Sequence, residues 1–364
     1  MTTSVHAPAP GANTDATQAE LDAIAAYKQR SRRKALAICG LTLAAIVSFI
    51  AAIVVGPIDI TFAEVWNAVF NPDAVDNQTR TVIRTLRLPA ALMAVLVGVA
   101  LSLAGAQMQT ILDNPLAEPF TLGISAAAAF GAALSIVIGL TVLPNPQLNL
   151  ALTAAVSALI AVAVVAAAAV WKGANAESMI LLGIALSFLF QALLSLLQYG
   201  ANTEALQQIV FWTMGSLQRA NWTTNLVLGA VIVVAVPFCA ANAWKLTALR
   251  LGDDRAAALG INVARLRVTT LLVASALAAA SVAFTGVIGF VGLVGPHVAR
   301  MLVGEDQKFF LPASAAAGAM LLSVAYAVSL SIIPGVAIPI GIITALVGVP
   351  FFIFLIFTRT RRKG

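Results

Sequence analysis

Few side chains in this sequence have the types and spacing that metal binding or catalysis requires. His297 lies in an apolar segment, with Arg300 one helical turn away on the same face. No second His, Cys or acidic residue accompanies His297 there, so a hydrogen bond to a neighbouring helix is expected in place of a metal site. The apolar segments contain neither His-x-x-x-His nor Gly-x-Ser-x-Gly. We therefore expect no metal, no cofactor and no catalytic residue, and predict that the chain is not an enzyme.

The 15 acidic residues are informative through their positions. All lie in tails or loops or, like Glu177, at the end of an apolar segment. Proton- and sodium-driven transporters commonly bind the coupling ion with a carboxylate at the bilayer midplane. The lack of such a carboxylate argues against an ion-coupled secondary transporter, although this function is kept as an alternative. The energy source for transport must then lie outside the membrane segments.

The composition predicts an all-α, polytopic membrane protein. Of 364 residues, 60% are hydrophobic and 10% are charged, with a mean hydropathy of +0.96. A soluble domain has about 25% charged residues, so most of this surface must face lipid. The membrane segments must be helical because backbone N–H and C=O groups find no water partners in the hydrocarbon core. A helix of about 20 apolar residues crosses that core.

The net charge of +6 does not indicate nucleic-acid binding. Lysines and arginines lie at the ends of apolar segments instead of forming one basic patch. Both cysteines, Cys39 and Cys239, lie inside apolar segments and are expected to pack as small hydrophobic residues.

Nine apolar segments are long enough to span a membrane, and a tenth is shorter. We expect a disordered cytoplasmic tail over residues 1–34, a membrane domain over 35–358 and a basic cytoplasmic tail over 359–364. The nine clear segments and then the short one, which contains Pro296, cover residues 35–56, 88–109, 120–143, 148–171, 179–199, 222–244, 268–288, 309–332, 336–357 and 290–303.

Charge asymmetry favours ten spans with both termini in the cytoplasm. Basic loops stay inside, and both tails are basic, which requires an even number of spans. With ten spans, 17 of the 21 lysines and arginines lie on the cytoplasmic side. The other four, Arg80, Arg84, Arg87 and Arg219, lie outside.

The longest cytoplasmic loop, residues 245–267, has the pattern of two short helices. Asp253 is expected to cap the first helix, Gly260 to end it and Asn262 to cap the second. Leu251, Leu259 and Ile261 would then be exposed. This pattern predicts a docking element for a cytoplasmic partner, with a short amphipathic helix on the lipid surface as the alternative.

Four stretches together resemble the FecCD-type permeases of ABC importers, which take up iron-siderophores, haem and cobalamin. The loop LGDDRAAALG is similar to the family's LGE-x-x-A-x-x-LG pattern. The other three carry an RLP…NPLA-x-P…LG-x-S signature, a G-x-IGF-x-GL-x-x-PH-x-x-R signature and a P-x-G-x-x-TA-x-x-G-x-P-x-F motif, over residues 87–125, 286–312 and 338–356.

The resemblance implies a type II ABC importer permease fold with ten transmembrane helices. It also implies four kinds of partner: a second permease subunit, identical or related, a cytoplasmic ATPase dimer, an external substrate-binding protein and membrane lipid. A ferric siderophore is the expected cargo, with haem or cobalamin as alternatives. The loop positions that match the family's ATPase-coupling helices are Gly252, Asp253, Ala256, Leu259 and Gly260.

Two further groups of residues match functional positions of the family. Asn175, Ala176 and Glu177 open the fifth span, where members narrow the pathway into a cytoplasmic gate, although Ser178 after them fits a simple helix cap. The NPLA stretch, residues 114–117, fits a rigid turn that needs no partner.

The outer arginines are the expected docking site for the binding protein. Arg84 and Arg87 keep a three-residue spacing, with Arg80 one more turn back, and lipid anchoring is the alternative. The chain departs from the family nearby and at two other outer positions, namely at Ala90, Leu330 and Ala337.

The predicted topology can be tested by cysteine labelling. In a chain without its native cysteines, a cysteine introduced beside Lys308 and another in the C-terminal tail should react only from the cytoplasmic side. Membrane-impermeant maleimide applied to right-side-out vesicles measures this. Reaction of the C-terminal cysteine from outside would contradict the ten-span topology.

Overall fold

The computed structural model describes residues 12–56, 58–172, 176–333 and 335–360, and over these residues the elements are helical. Asn114 and its neighbours form an irregular turn, and a π-helical turn over Val82–Arg87 joins α3 to α4. The helices are α1 (Ala12–Val54), α2 (Phe62–Phe70), α3 (Asn77–Thr81), α4 (Leu88–Ile111), α5 (Ile124–Ile138), α6 (Pro146–Lys172), α7 (Ala176–Gly200), α8 (Thr203–Thr213), α9 (Trp222–Leu249), α10 (Asp253–Ala258), α11 (Val263–Thr285), α12 (Val291–Val303), α13 (Gln307–Ser331) and α14 (Ile340–Thr360).

The all-α membrane architecture is confirmed. Within the described residues, seven helices are long and apolar enough to cross a membrane, and α5, α12 and α14 supply three shorter apolar stretches. These ten helices occupy the ten segments that hydropathy indicates. That each of these three short helices crosses the membrane completely stays a prediction.

The N-terminal segment differs from the expected disordered tail. Helix α1 begins at Ala12 and continues without a break to Val54, so it includes most of residues 1–34. Residues 1–11 and the basic end, 361–364, lie outside the described part of the chain.

Helix α4 lies at the centre of the bundle and packs against α1, α9, α11, α12 and α13. Its backbone approaches two neighbours closely: Gly105 faces Gly292 of α12, and Gly98 faces Gly318 of α13. A Cβ atom at Gly98 or Gly105 would overlap the opposing backbone carbonyl. Small residues are therefore required at these crossings, as the Gly- and Ala-rich segments predict.

Helices α7 and α14 lie at the edge of the single chain and expose apolar side chains. On α7, Phe188 is 69% exposed and Tyr199 is 92% exposed. On α14, Leu346 is 67% exposed. These faces require lipid or another subunit as a partner.

Candidate functional site

The cytoplasmic loop between α9 and α11 contains one well-defined short helix, α10. Gly260 has φ +79° and ends it, as expected, because only glycine adopts this conformation without strain. Asn262 also acts as expected: its side chain accepts a 2.9 Å hydrogen bond from the Arg265 amide and caps α11. The N-cap of α10 is Gly252, with φ +104°, and not Asp253 as the sequence pattern predicts.

Asp253 forms an ion pair with Arg267 instead of capping its own helix. Two guanidinium nitrogens of Arg267 donate to the two carboxylate oxygens of Asp253, each at 2.8 Å. The side chain of Arg267 is only 9% exposed, and its Nε donates to the carbonyl oxygen of Ile111 at 2.9 Å. Paired, parallel hydrogen bonds between an arginine and a carboxylate fix both distance and orientation. The pair therefore ties α10 to the cytoplasmic end of the central helix.

A second group of charges joins α9, α12 and α4 on the same face. Arg250 pairs with Glu305 at 2.5 Å and lies 3.6 Å from Asp113. Arg300 pairs with Glu305 at 3.2 Å and donates to Gln109 Oε1 at 2.8 Å. Both clusters converge on the last turn of α4 and the residues just after it.

His297 lies on α12 with its ring edge against Phe351, with the ring centroids 6.0 Å apart. Throughout the described ranges, no group of three His, Cys, Asp or Glu residues is close enough to hold a metal ion. His297 is therefore a packed side chain at the interface between α12 and α14.

The surface of the loop is apolar where the docking element was expected. Leu251 is 57% exposed and Leu259 is 59% exposed. Ala256 is fully buried and anchors α10 against the bundle. The expected exposure of Ile261 is wrong, since this side chain is only 7% exposed. It is buried because the chain turns back under α10 after Gly260. Two leucines therefore remain for a partner.

The NPLA stretch is a rigid turn. Asn114 accepts two backbone hydrogen bonds, from the Leu116 amide to its side chain at 2.9 Å and from the Ala117 amide to its carbonyl at 3.1 Å. The turn and the first half of α7 line an open cavity of about 280 Å³, and Ile180 and Ile184 are among its lining residues.

The three expected gate residues lie at and before the start of α7. Asn175 lies outside the described residues. Ala176 is the first residue of α7 and is half-buried, and Glu177 is exposed. Ala176 and Glu177 stand about one turn before Ile180. The structure thus brings this end of α7 close to the NPLA turn, a proximity that the sequence did not predict.

Glu118 is a buried acidic residue that sequence reasoning missed. It lies in the connection between α4 and α5, is only 9% exposed, and has its carboxylate near the backbone N–H of Phe290. Phe290 precedes the first residue of α12, where the helix dipole favours a negative charge. The two prolines of the NPLAEP stretch, Pro115 and Pro119, were the available signal for a loop held tightly against the bundle.

The outer arginines do not form one surface, which corrects the expected docking site. Arg87 is 6% exposed and donates to the carbonyl oxygens of Ile53 and Val54 at 2.9 and 2.7 Å, so it holds the C-terminal end of α1. The π-helical turn rotates Arg87 away from its exposed neighbour, Arg84. Arg80 is half-buried and lies 3.8 Å from Asp73. Arg87 is therefore unavailable to a partner.

Trp212 and Trp222, two tryptophans on the outer side of the bundle, differ in exposure. Trp222 is 54% exposed, as expected of an interface anchor, and its Nε1 donates to the carbonyl oxygen of Arg84 at 3.1 Å. Trp212 is 3% exposed and packs in the core.

Replacing Arg267 tests whether the ion pair holds α10 in place. Arg267→Ala leaves Asp253 and the Ile111 carbonyl without their donor, and charged hydrogen bonds of this kind contribute about 1.5–3 kcal/mol each. We expect amide hydrogen exchange in α10 to accelerate roughly tenfold to a hundredfold. The matched control is Arg265→Ala, which removes an exposed arginine from α11, the helix that also carries Arg267. Equal exchange in the two variants would contradict the role of the pair.

Comparison with known proteins agrees with this arrangement. Residues 43–358 match the FecCD transport family. The haemin transport permease HmuU of Yersinia pestis is 36% identical over 311 residues, covering 85% of this chain and 92% of the relative. The Fe(3+)-citrate import permease YfmE of Bacillus subtilis is 34% identical over 338 residues, covering 92% and 98%.

A solved structure has the same fold over most of the chain. It is described as an inward-facing conformation of a metal-chelate type ABC transporter, and the superposition has a TM-score of 0.77 at 32% sequence identity. The match covers 89% of this chain and 99% of that one. With a family match over most of its length, this chain belongs to the FecCD transport family and is a multi-pass plasma-membrane permease of an ABC importer.

Proposed function

We propose that this permease forms the membrane pathway for an iron chelate and receives its energy through α10 from a separate cytoplasmic ATPase. The observation that carries the proposal is the construction of α10. Leu251 and Leu259 face outward, whereas Ala256 and the Asp253–Arg267 pair fix the helix from behind. An exposed apolar patch on a firmly held element is typical of a docking surface.

The contacts behind α10 give this docking surface a mechanical connection to the bundle. Arg267 joins Asp253 to the carbonyl of Ile111, and Arg300 joins Gln109 to the Glu305 cluster. A displacement of α10 would therefore reach the cytoplasmic end of α4 through hydrogen bonds, without passing through a flexible loop. This is the connection that ATP-driven opening of a pathway requires.

A second permease subunit is proposed to cover the exposed faces of α7 and α14. Phe188, Tyr199 and Leu346 are large apolar side chains with no cover inside the chain. A pathway between two copies would place α7 along its wall and residues 175–177 at its cytoplasmic end. Together with the adjacent NPLA turn, these residues are the proposed gate. An identical or a related subunit satisfies this geometry equally.

An iron chelate, with a ferric siderophore as first choice, is the proposed cargo. One relative is a haemin transport permease and another belongs to an Fe(3+)-citrate import system, and the similar structure is of a metal-chelate type transporter. These cargoes share a metal held inside an organic chelate. The mostly apolar exposed face of α7 fits such a cargo better than it fits a metal cation without a chelate, because such a cation needs polar ligands.

The transport proposal is tested in proteoliposomes that contain the permease, its ATPase and its binding protein. Uptake of a radiolabelled ferric siderophore should require ATP inside the vesicles, whereas collapse of proton and sodium gradients should leave it unchanged. Haem and cobalamin are the competing cargoes. Uptake that follows an ion gradient without ATP would contradict the proposal and favour ion-coupled transport, with Glu118 as its buried acid.

Replacing Leu259 by aspartate tests docking of the ATPase. A charge in an apolar contact costs binding free energy, and central contacts commonly contribute about 2 kcal/mol or more, which corresponds to roughly thirtyfold in affinity. We expect Leu259→Asp to insert and fold normally but to lose ATPase association and transport. Leu259→Met keeps size and polarity and should behave as the wild type. Co-purification of the ATPase measures the difference, and undiminished association of the Leu259→Asp variant would exclude α10 as the docking element.

The proposed contact with an external binding protein involves Arg84, assisted by Arg80. Opposite charges speed and orient such encounters. Arg84→Glu should lower the affinity of the binding protein about tenfold at low salt and less at high salt. Arg32→Glu, on the opposite side of the membrane, is the control. An unchanged affinity of the Arg84→Glu variant at low salt would show that Arg84 serves only as an interfacial anchor.

A further inference from the structure

An open apolar groove runs along the outside of the bundle between α1, α4, α9 and α13. Its volume is about 670 Å³. Ala45 and Phe49 of α1, Val99 of α4, Ala240 of α9 and Ala316 of α13 line it. The groove belongs neither to the coupling element nor to the gate region beside α7.

The dimensions of the groove restrict what can occupy it. Along α13 it extends from Lys308 to Ala319, a rise of about 17 Å, which slightly exceeds half of the ~30 Å hydrocarbon core. Over that length the lining side chains are apolar apart from Thr42, Gln307 and Lys308. An extended hydrocarbon chain fits this length and this apolar lining.

The cytoplasmic end of the groove is basic. Lys308 lines the groove itself, and its Nζ lies 5.8 Å from the centroid of the Phe309 ring. Lys34 of α1 approaches the same ring, with its Nζ 5.1 Å from the centroid. Both ammonium groups therefore lie against Phe309, where the groove meets the predicted cytoplasmic surface. Asp306, the acid nearest to Lys308 in the chain, accepts a hydrogen bond from the Lys308 amide at 3.2 Å and caps α13.

We propose that this groove binds one anionic phospholipid of the cytoplasmic leaflet. The acyl chain lies along α13 between α1 and α9, and the headgroup phosphate pairs with Lys34 and Lys308. The proposal follows from an apolar groove that ends at Lys308, with Lys34 against the same aromatic ring. Lysines near the membrane surface attract anionic lipid. A bound lipid would also cover the side of α4 that α1 leaves open.

Native mass spectrometry of the full-length permease tests the site. The protein is purified in mild detergent and offered phosphatidylglycerol and phosphatidylcholine with identical acyl chains. We expect the wild type to retain one phosphatidylglycerol in preference to phosphatidylcholine. Lys34→Gln/Lys308→Gln should lower that preference roughly tenfold or more, because two headgroup contacts are lost. Lys28→Gln/Lys245→Gln removes the same charge from outside the groove and should keep it.

Two further variants separate the headgroup from the acyl chain and exclude misfolding as an explanation. Lys34→Arg/Lys308→Arg keeps both charges and should retain phosphatidylglycerol. Ala316→Phe fills the groove and should lower retention of both lipids, whereas Val328→Phe, elsewhere on α13, should not. Three results would overturn the proposal: equal retention of the two lipids by the wild type, an undiminished preference in the glutamine variant, or unchanged retention in Ala316→Phe. A second copy of the chain displacing the lipid would also overturn it.

Discussion

The close approach of α4 to α12 and α13 is the constraint on which the rest of the structure depends. Gly105 meets Gly292 and Gly98 meets Gly318 with no room for a side chain at either crossing. In lipid, where burial of apolar surface gives helices little reason to associate, such backbone contact supplies the attraction between them. Polar side chains on the same helix also contact its neighbours, as where Gln107 Nε2 donates to the sulfur of Cys239. The position of α4 is therefore fixed within narrow limits.

A fixed α4 gives the cytoplasmic face a firm attachment. The carbonyl of Ile111 and the side chain of Gln109 accept hydrogen bonds from Arg267 and Arg300, so α10 and α12 are both attached to one point of the bundle. The same logic applies on the outer side, where Arg87, near the start of α4, closes the end of α1 through two backbone carbonyls. Both ends of α4 are thus held by buried arginines, whereas the exposed faces of α7 and α14 are apolar.

The outer surface of the bundle divides by its chemistry. The faces of α7 and α14 expose large aromatic and aliphatic side chains, which suits a broad contact with another subunit. The groove beside α1 is apolar and ends at Lys308, with Lys34 against the same ring, which suits the proposed lipid. The exposed faces of α7 and α14 and the groove lie on different helices. A lipid in the groove therefore leaves the proposed dimer contact free.

The sequence by itself determined the helical membrane class, the ten apolar segments, the family and the local signals at Gly260 and Asn262. Each of these depends on composition or on residues a few positions apart, which helix periodicity and backbone conformation relate directly. Only the tertiary structure decided that Arg87 is buried, that Asp253 pairs with Arg267 and that Glu118 meets the start of α12. Arg267 and the Ile111 carbonyl are 156 residues apart in the chain, and nothing local at either position specifies the other. Whether a charged side chain faces a partner or a buried carbonyl depends on which distant helix packs beside it, and packing, not periodicity, makes that choice.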